Sequence, residues 1–255
     1  MKTKNLLGIF FLFLCTITLV SCGDDEKQEI YSLSFEKGYY ERPLLGAKHI
    51  PVRGGNRDYT VTVQNTDVLS INIDLSSPIG MGNLVVKPKQ KGETTVTVKD
   101  NVTNETVNLK IKIVDSYLNL KVAHPAQVPY SGGENLFFIN NSDRDFYLFD
   151  EKMEKKECTG NYQFLIKNST CYMILNFDKE LNDKSTYEYN ISNTSERMFT
   201  LIEILLGVDW NMKADLINRS TRSASPVIMN AVDTETNLTQ YFVAGSNDIP
   251  ENILD

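Results

Sequence analysis

Four stretches between residues 31 and 113 alternate apolar and polar side chains with a period of two. In one of them, Tyr59, Val61 and Val63 alternate with Thr60 and Thr62. Side chains on a strand point alternately to its two faces, so this period buries one face and leaves the other in water. The pattern is typical of antiparallel sheets and predicts a mainly β chain. The other three stretches are residues 31–35, 71–75 and 107–113.

Turn-forming sequences separate these stretches at short intervals. Gly54-Gly55-Asn56 and Asp100-Asn101 combine glycine, asparagine and aspartate, which favour tight turns. Several short strands punctuated in this way are typical of two packed sheets. The sequence therefore predicts a β-sandwich over residues 30–115.

Residues 82–98, with the sequence GNLVVKPKQKGETTVTV, resemble the core of the group 2 bacterial Ig-like domains. In that family a short strand leads through a glycine turn into a strand rich in threonine and valine. The preceding VLSI at residues 68–71 is similar to the family's valine-containing strand before the turn. The resemblance implies an Ig-like fold for residues 30–115 and a role as a spacer or adhesion module.

Residues 117–255 resemble no characterised family, and their pattern again predicts strands. Alternating apolar segments joined by polar turns predict a second, antiparallel β-domain built as a meander of hairpins. One segment instead carries apolar residues at i, i+3, i+4 and i+7, which predicts a single helix over about residues 195–206. Trp210 lies just beyond it and is expected to pack against the same apolar stripe. The residues that define the stripe are Met198, Leu201, Ile202 and Leu205.

The N-terminus has the layout of a secretory signal peptide. Two lysines precede an apolar stretch from Leu6 to Val20, and Ser21-Cys22 follows. A small residue before cysteine resembles the lipobox of bacterial lipoproteins, which implies removal of residues 1–21 and acylation of Cys22, with palmitate among the chains. An uncleaved transmembrane helix is the alternative, but this apolar stretch is shorter than the span of about 20 residues that a helix needs.

Residues 22–29 form an acidic tether in this interpretation. Gly23-Asp24-Asp25-Glu26 resembles the lipoprotein export signal of the Bacteroidetes. That resemblance implies a lipid-anchored protein of the outer membrane, exposed at the cell surface. A solvated acidic linker is the alternative.

The net charge argues against a nucleic-acid partner. The chain carries −7 at pH 7, and removal of residues 1–21, which contain two lysines and no acid, makes it −9. The sequence has no basic patch with interleaved aromatic residues. The expected partners are a membrane, through the lipid, and a glycan or a protein.

Two cysteines remain if Cys15 leaves with the signal peptide and Cys22 is acylated. In an exported protein, Cys158 and Cys171 are candidates for a disulfide. The alternative is a pair of buried thiols on adjacent strands.

The residue types offer no convincing catalytic, cofactor or metal site. His49 and His124 belong to no metal-binding or triad spacing. Asn141, Asp143 and Asp145 stand at i, i+2 and i+4 and could offer oxygens to calcium. The residues that follow do not continue the EF-hand pattern, however, and a hairpin turn accounts for the asparagine and the two aspartates.

Acidic and aromatic residues leave two further hypotheses open. Two carboxylates of a glycosidase would have to stand about 5 to 10 Å apart, and the sequence does not place any pair; the acids considered are Glu134, Asp150, Glu188 and Glu203. Glu203 is expected on the exposed flank of the helix. Tyrosines would stack on sugar rings if exposed, or would otherwise belong to the core; these are Tyr39, Tyr40, Tyr130 and Tyr147.

Together these patterns predict a non-enzymatic surface lipoprotein. Its Ig-like module would present a β-domain for binding a ligand, such as a glycan, or a protein, through loops mounted on a rigid sandwich. The alternative is a glycan-directed hydrolase or an accessory subunit of a polysaccharide-utilisation system.

Overall fold

The computed structural model describes residues 29–46, 49–210 and 227–254. These residues contain fifteen strands and one helix, so the prediction of a mainly β chain is confirmed. The first seven strands form a two-sheet sandwich, and the last eight close into a barrel.

The sandwich consists of a four-stranded sheet in the order β1-β7-β6-β3 and a three-stranded sheet in the order β2-β5-β4. Pairing is antiparallel except that β1 runs parallel to β7. Strands 2, 4 and 5 therefore share one sheet, and strands 1, 3, 6 and 7 share the other. The strands are β1 Tyr39–Pro43, β2 His49–Pro51, β3 Tyr59–Val63, β4 Leu69–Asp74, β5 Asn83–Pro88, β6 Gly92–Asp100 and β7 Thr106–Val114.

The two sheets of the sandwich pack face to face through apolar side chains from both sheets. Leu84, Val86, Val96 and Val98 are fully buried between them. Gly92, the first residue of β6, has a φ of 140°, a backbone conformation that residues with a side chain rarely adopt. The predicted strand–turn–strand unit is therefore present.

The barrel is an antiparallel meander in which each strand pairs with the next along the chain. It closes where the last strand, β15, pairs with β8 in the register Phe242 to Val122. The predicted meander is confirmed, and closure is an additional finding. The strands are β8 Tyr117–Val122, β9 Asn135–Ile139, β10 Asp145–Phe149, β11 Lys156–Lys167, β12 Thr170–Leu181, β13 Lys184–Asn190, β14 Ile228–Asp233 and β15 Thr239–Ala244.

Apolar side chains fill the interior of the barrel. Aromatic rings meet edge to face there, as in Phe138 against Tyr162 at 4.9 Å and Phe146 against Phe177 at 5.0 Å between ring centroids. Such edge-to-face contacts stabilise the barrel beyond what the burial of the rings contributes. Function therefore has to be sought outside the barrel interior.

The single helix of the described residues, α1 Glu196–Leu206, packs against the apolar core of the barrel and confirms the prediction to within a residue. Its fully buried face is formed by Met198, Phe199, Ile202 and Leu206, while Leu201 and Leu205 lie partly buried at the margin.

Three contacts hold the helix in place. It ends at Gly207, whose left-handed backbone (φ 63°) lets its N–H bond to the Glu203 carbonyl. The Arg144 guanidinium donates to the Leu206 carbonyl at 2.5 Å, a favourable place for a cation. Trp210 packs on Phe199 with ring centroids 4.9 Å apart, as expected, and its indole N–H donates to the Phe199 carbonyl.

Candidate functional site

The link between sandwich and barrel is short and hydrogen-bonded on both sides. Only Asp115 and Ser116 separate β7 from β8. The Ser116 hydroxyl accepts a hydrogen bond from the Leu45 N–H of the sandwich. The Ser116 backbone carbonyl accepts one from the Asn140 N–H of the barrel. The connection is therefore held on both sides.

The C-terminal tail, residues 245–254, leaves the barrel and packs along the junction. Ile249 and Leu254 are buried in a third apolar cluster that joins Val114 of the sandwich to Phe137 and Phe149 of the barrel. Apolar burial is the main favourable term in holding such elements together. The tail thus packs against both the sandwich and the barrel.

Polar contacts fix the tail to the sandwich. Lys37 Nζ and Glu251 Oε1 lie 3.0 Å apart, and the Asn252 N–H donates to Glu41 Oε1 at 3.1 Å. Further along, Lys112 Nζ donates to the Leu254 carbonyl at 2.8 Å.

On the barrel side, the Tyr117 hydroxyl bonds to Asp248 Oδ1 at 3.1 Å. Burial raises the pKa of Tyr117, and the Asp248 carboxylate raises it further, so this hydroxyl stays protonated and can donate.

The tail closes one side of a cleft with a volume of about 480 Å³. The other walls come from β1 and the segment before it, from Pro51 and from Met153 in the β10–β11 turn. The lining residues are Glu36, Lys37, Tyr40, Glu41, Arg42, Pro51, Met153, Asp248, Ile249, Pro250 and Glu251.

Glu41 and Arg42 of β1 are the most deeply buried charged residues of this cleft, with 7% and 8% of their surface exposed. Glu41 Oε1 accepts hydrogen bonds from the Tyr39 hydroxyl at 2.7 Å and from the tail, while Oε2 has no partner. Arg42 lies over the Tyr40 ring at 5.1 Å, and its Nη1 donates to the Glu41 carbonyl.

Sequence reasoning did not find this site. Four of the five residues of β1 are buried, so the segment Tyr39–Pro43 does not alternate in burial. One of its buried residues, Glu41, is contacted by the tail, which lies more than two hundred residues away in the chain. The one available signal is a pair of opposite charges, Glu41-Arg42, between tyrosines and a proline.

Cys22 lies outside the described residues, whereas the two remaining cysteines are defined. Both are buried and free, so the disulfide prediction is wrong and the alternative of buried thiols on adjacent strands is what the structure contains. Cys171 pairs with Ile166, eight residues along β11 from Cys158. At about 3.3 Å per residue this separates the cysteines by about 26 Å, far beyond disulfide reach.

The histidines and the Asn-Asp cluster are not brought into a site. His49 lies on β2 of the sandwich and His124 in the loop after β8 of the barrel. Asn141 and Asp145 bond to each other across the β9–β10 turn, through Nδ2 to Oδ2 at 2.6 Å and through the Asp145 N–H to Oδ1 at 3.0 Å. The turn interpretation is confirmed, and the described ranges contain no cluster of metal-ligating side chains.

The candidate acids lie on separate elements. Burial raises the pKa of Glu134, whose carboxylate accepts the Ser131 N–H at 2.9 Å. The Asp150 carboxylate accepts a hydrogen bond from the Glu154 N–H in the β10–β11 turn. Glu188 lies on β13, where it pairs with Ile174 of β12. Glu203 is exposed on the helix, as expected.

The four tyrosines do not form an exposed strip. Tyr40 and Tyr130 are buried, each with 6% of its surface exposed, and Tyr130 packs edge to face on Phe242. Tyr39 is partly buried on β1, and Tyr147 lies under Lys156. Of the four, only Tyr40 lines the cleft.

Comparison with known proteins adds little. No protein-family model and no curated protein matches the sequence. The solved structures that match include domains 4–9 of the surface layer protein SbsC, at 12% identity and a TM-score of 0.29 over 86% of this chain and 27% of that one. Domains 5–6 of the S-layer protein SbsC match at 11% identity and a TM-score of 0.28, over 64% of this chain and 97% of that one. We draw no functional inference from similarity at this level.

No helix in the described part of the chain is long and apolar enough to cross a membrane.

Proposed function

We propose that this chain is an exported lipoprotein that presents a ligand-binding site at the cell surface. Cys22 carries the lipid, residues 22–29 form the tether, and the Ig-like sandwich is the spacer that holds the barrel away from the outer membrane. The lipobox-like Ser21-Cys22 and the acidic residues after it support the anchoring step.

The observation that carries the binding role is the cleft at the sandwich–barrel junction. Two modules joined by a two-residue link and a shared tail can hold such a cleft in a fixed shape. Ligand sites form preferentially where domains meet, and preorganised walls reduce the cost of binding.

Acylation would attach the chain to the membrane without requiring a spanning segment. Each buried methylene contributes about 0.8 kcal/mol, and one acyl chain alone anchors only reversibly. Several chains on Cys22, as the lipobox resemblance implies, would hold the protein permanently.

Metabolic labelling with radioactive palmitate in the native bacterium tests the anchoring step. We expect label on the wild-type chain and on Cys158→Ala, but none on Cys22→Ala, which should move to the soluble periplasmic fraction. Protease added to intact cells should digest the wild-type chain. Label retained on Cys22→Ala, or full protection from external protease, would contradict the proposal.

A further inference from the structure

Three loops meet at the end of the sandwich that is opposite the barrel. β7 begins at this end with Thr106 and finishes at Val114, directly before the link to β8. At about 3.3 Å per residue, the nine residues of β7 place the β6–β7 turn about 30 Å from the link. We call this the distal end of the sandwich, and its loops are residues 54–58, 75–82 and 101–105.

The described chain enters the sandwich at the distal end. The Tyr31 N–H donates to Asn56 Oδ1 at 3.0 Å, and Asn56 Nδ2 donates to the Tyr31 carbonyl at 2.9 Å. Asn56 also donates to the Asp100 carboxylate at the end of β6. Residues 22–28 precede the described chain, and at about 3.5 Å per residue they span at most about 25 Å. A lipid on Cys22 would therefore keep the distal end close to the bilayer.

The exposed apolar side chains of the sandwich are concentrated at the same end. In the described ranges 29–46 and 49–114, six large apolar residues are exposed, and five of them lie at the distal end. Single exposed apolar residues are normal on a protein surface, whereas a concentration on one end indicates an interaction surface. The five are Ile30, Tyr31, Leu75, Ile79 and Val102, and the sixth is Leu45.

The loop at residues 75–82 carries the most exposed of these side chains on a fixed backbone. Its sequence, LSSPIGMG, contains no charged residue. The Arg57 guanidinium donates to the carbonyls of Leu75 at 2.8 Å and Ser77 at 2.9 Å, and also to that of Gly80. Ile79 lies between these anchored residues and is 86% exposed. The loop therefore holds an apolar side chain out into the surroundings.

We propose that the distal end of the sandwich docks on the lipid bilayer, with Ile79 and its apolar neighbours inserted between headgroups and acyl chains. Apolar surfaces that bind at this interface are buried by about 5 to 10 Å. Tyr31 suits the headgroup level, because its ring is apolar and its hydroxyl is polar. Docking in this orientation directs the barrel away from the membrane.

The tether favours a bilayer over a protein partner for this surface. An anchor on Cys22 makes docking an intramolecular step, so a weak apolar contact is sufficient. The inference thus rests on the lipid anchor proposed above.

The test supplies the anchor chemically, so that failure of natural acylation leaves it unaffected. Cys22 of the chain 22–255 is coupled to a maleimide-bearing phospholipid in phosphatidylcholine vesicles, while Cys158 and Cys171 are protected by burial. The vesicles are made with and without bromine on the acyl chains, because bromine quenches a tryptophan that enters the bilayer. Trp210, the single tryptophan, is buried in the barrel and provides the background.

We expect bromine to quench most of the fluorescence that Ile79→Trp adds, and none of that added by Leu238→Trp at the β14–β15 turn of the barrel. Val102→Trp should also be quenched. Adding Ile79→Asp should abolish quenching of Val102→Trp, whereas adding Leu45→Asp, at the exposed apolar residue elsewhere in the sandwich, should not. Phosphatidylglycerol in the vesicles should change quenching little, since the loop carries no charge.

Thermal melting checks that each coupled variant is folded. Absence of quenching in both folded variants, Ile79→Trp and Val102→Trp, would overturn the inference. Equal quenching of Leu238→Trp would show that the barrel lies on the bilayer instead. Quenching of Val102→Trp that persists with Ile79→Asp, or that requires phosphatidylglycerol, would likewise contradict apolar docking through this end.

Discussion

The N–H of Asn252 donates to Glu41 Oε1 at 3.1 Å and so joins two residues that are 211 positions apart in the chain. Through this contact the tail reaches a buried carboxylate on the first strand of the sandwich. The cleft between the barrel and the sandwich, which the tail lines, therefore depends on a docked tail.

Truncation of Leu254 tests the docking. Its side chain is 5% exposed and belongs to the junction cluster. Leu254→Ala should reduce the free energy of tail docking by about 2 kcal/mol, at the low end of the cost of truncating a buried leucine. Hydrogen exchange of residues 247–254 should then accelerate by more than about tenfold. Leu238→Ala, at a position 50% exposed, is the control, and equal exchange in both variants would contradict tail docking.

The helix offers a matched pair of isoleucines. Ile202 is fully buried against the barrel core, whereas Ile204 is 56% exposed. Ile202→Ala should reduce the free energy of unfolding by about 2 to 5 kcal/mol, and Ile204→Ala by less than about 0.5 kcal/mol. Urea unfolding followed by the fluorescence of Trp210, the single tryptophan, measures both. Similar losses in the two variants would mean that the helix is not packed as described.

The thiols of Cys158 and Cys171 should be free and slow to react. Both are buried, and burial raises the pKa of the Cys171 thiol, which lowers its thiolate fraction. In the Cys22→Ala mature chain, iodoacetamide should label neither cysteine quickly under native conditions. After denaturation without reductant it should label both, as read by intact mass. A denatured chain that stays unlabelled until reduced would show a disulfide.

Acid should weaken the sandwich through Asp100. This carboxylate is fully buried, which by itself would raise its pKa, but hydrogen bonds from Asn56, Val102 and Thr103 outweigh burial and lower it. Because the folded pKa lies below the unfolded value of about 4, the stabilisation is complete above that pH and is lost as the pH falls through the folded value.

Asp100→Asn should flatten this pH dependence, since its amide cannot ionise. Urea unfolding by circular dichroism at pH values from about 5 down to about 2 measures the slope. Asp67→Asn, at an exposed position, should keep the wild-type slope. If the free energy of unfolding of Asp100→Asn depended on pH as in the wild type, Asp100 would not be the source of the acid sensitivity.

The parts of the fold that were predicted are those that local pattern determines. The helix at 196–206 and the meander of hairpins that forms the barrel follow from apolar periods within a few residues. Closure of the barrel depends on β15 meeting β8, and the contact of the tail with Glu41 joins residues 211 positions apart, so neither leaves a local period. The sequence spacing of the two cysteines likewise does not reveal the register in which β11 pairs with β12, and this register is what separates them. The disulfide prediction was wrong for that reason. The cleft was missed because it exists only after these distant segments meet.

Zero-length carbodiimide crosslinking of the native chain tests the docked tail most directly. Lys37 Nζ and Glu251 Oε1 lie 3.0 Å apart across the junction, and Lys184 Nζ and Glu235 Oε2 lie 2.8 Å apart within the barrel. We predict that peptide mapping finds both crosslinks in the wild type and only the second in Glu251→Gln. A wild-type chain with the Lys184–Glu235 crosslink but no Lys37–Glu251 crosslink would contradict the docked tail and the cleft that depends on it.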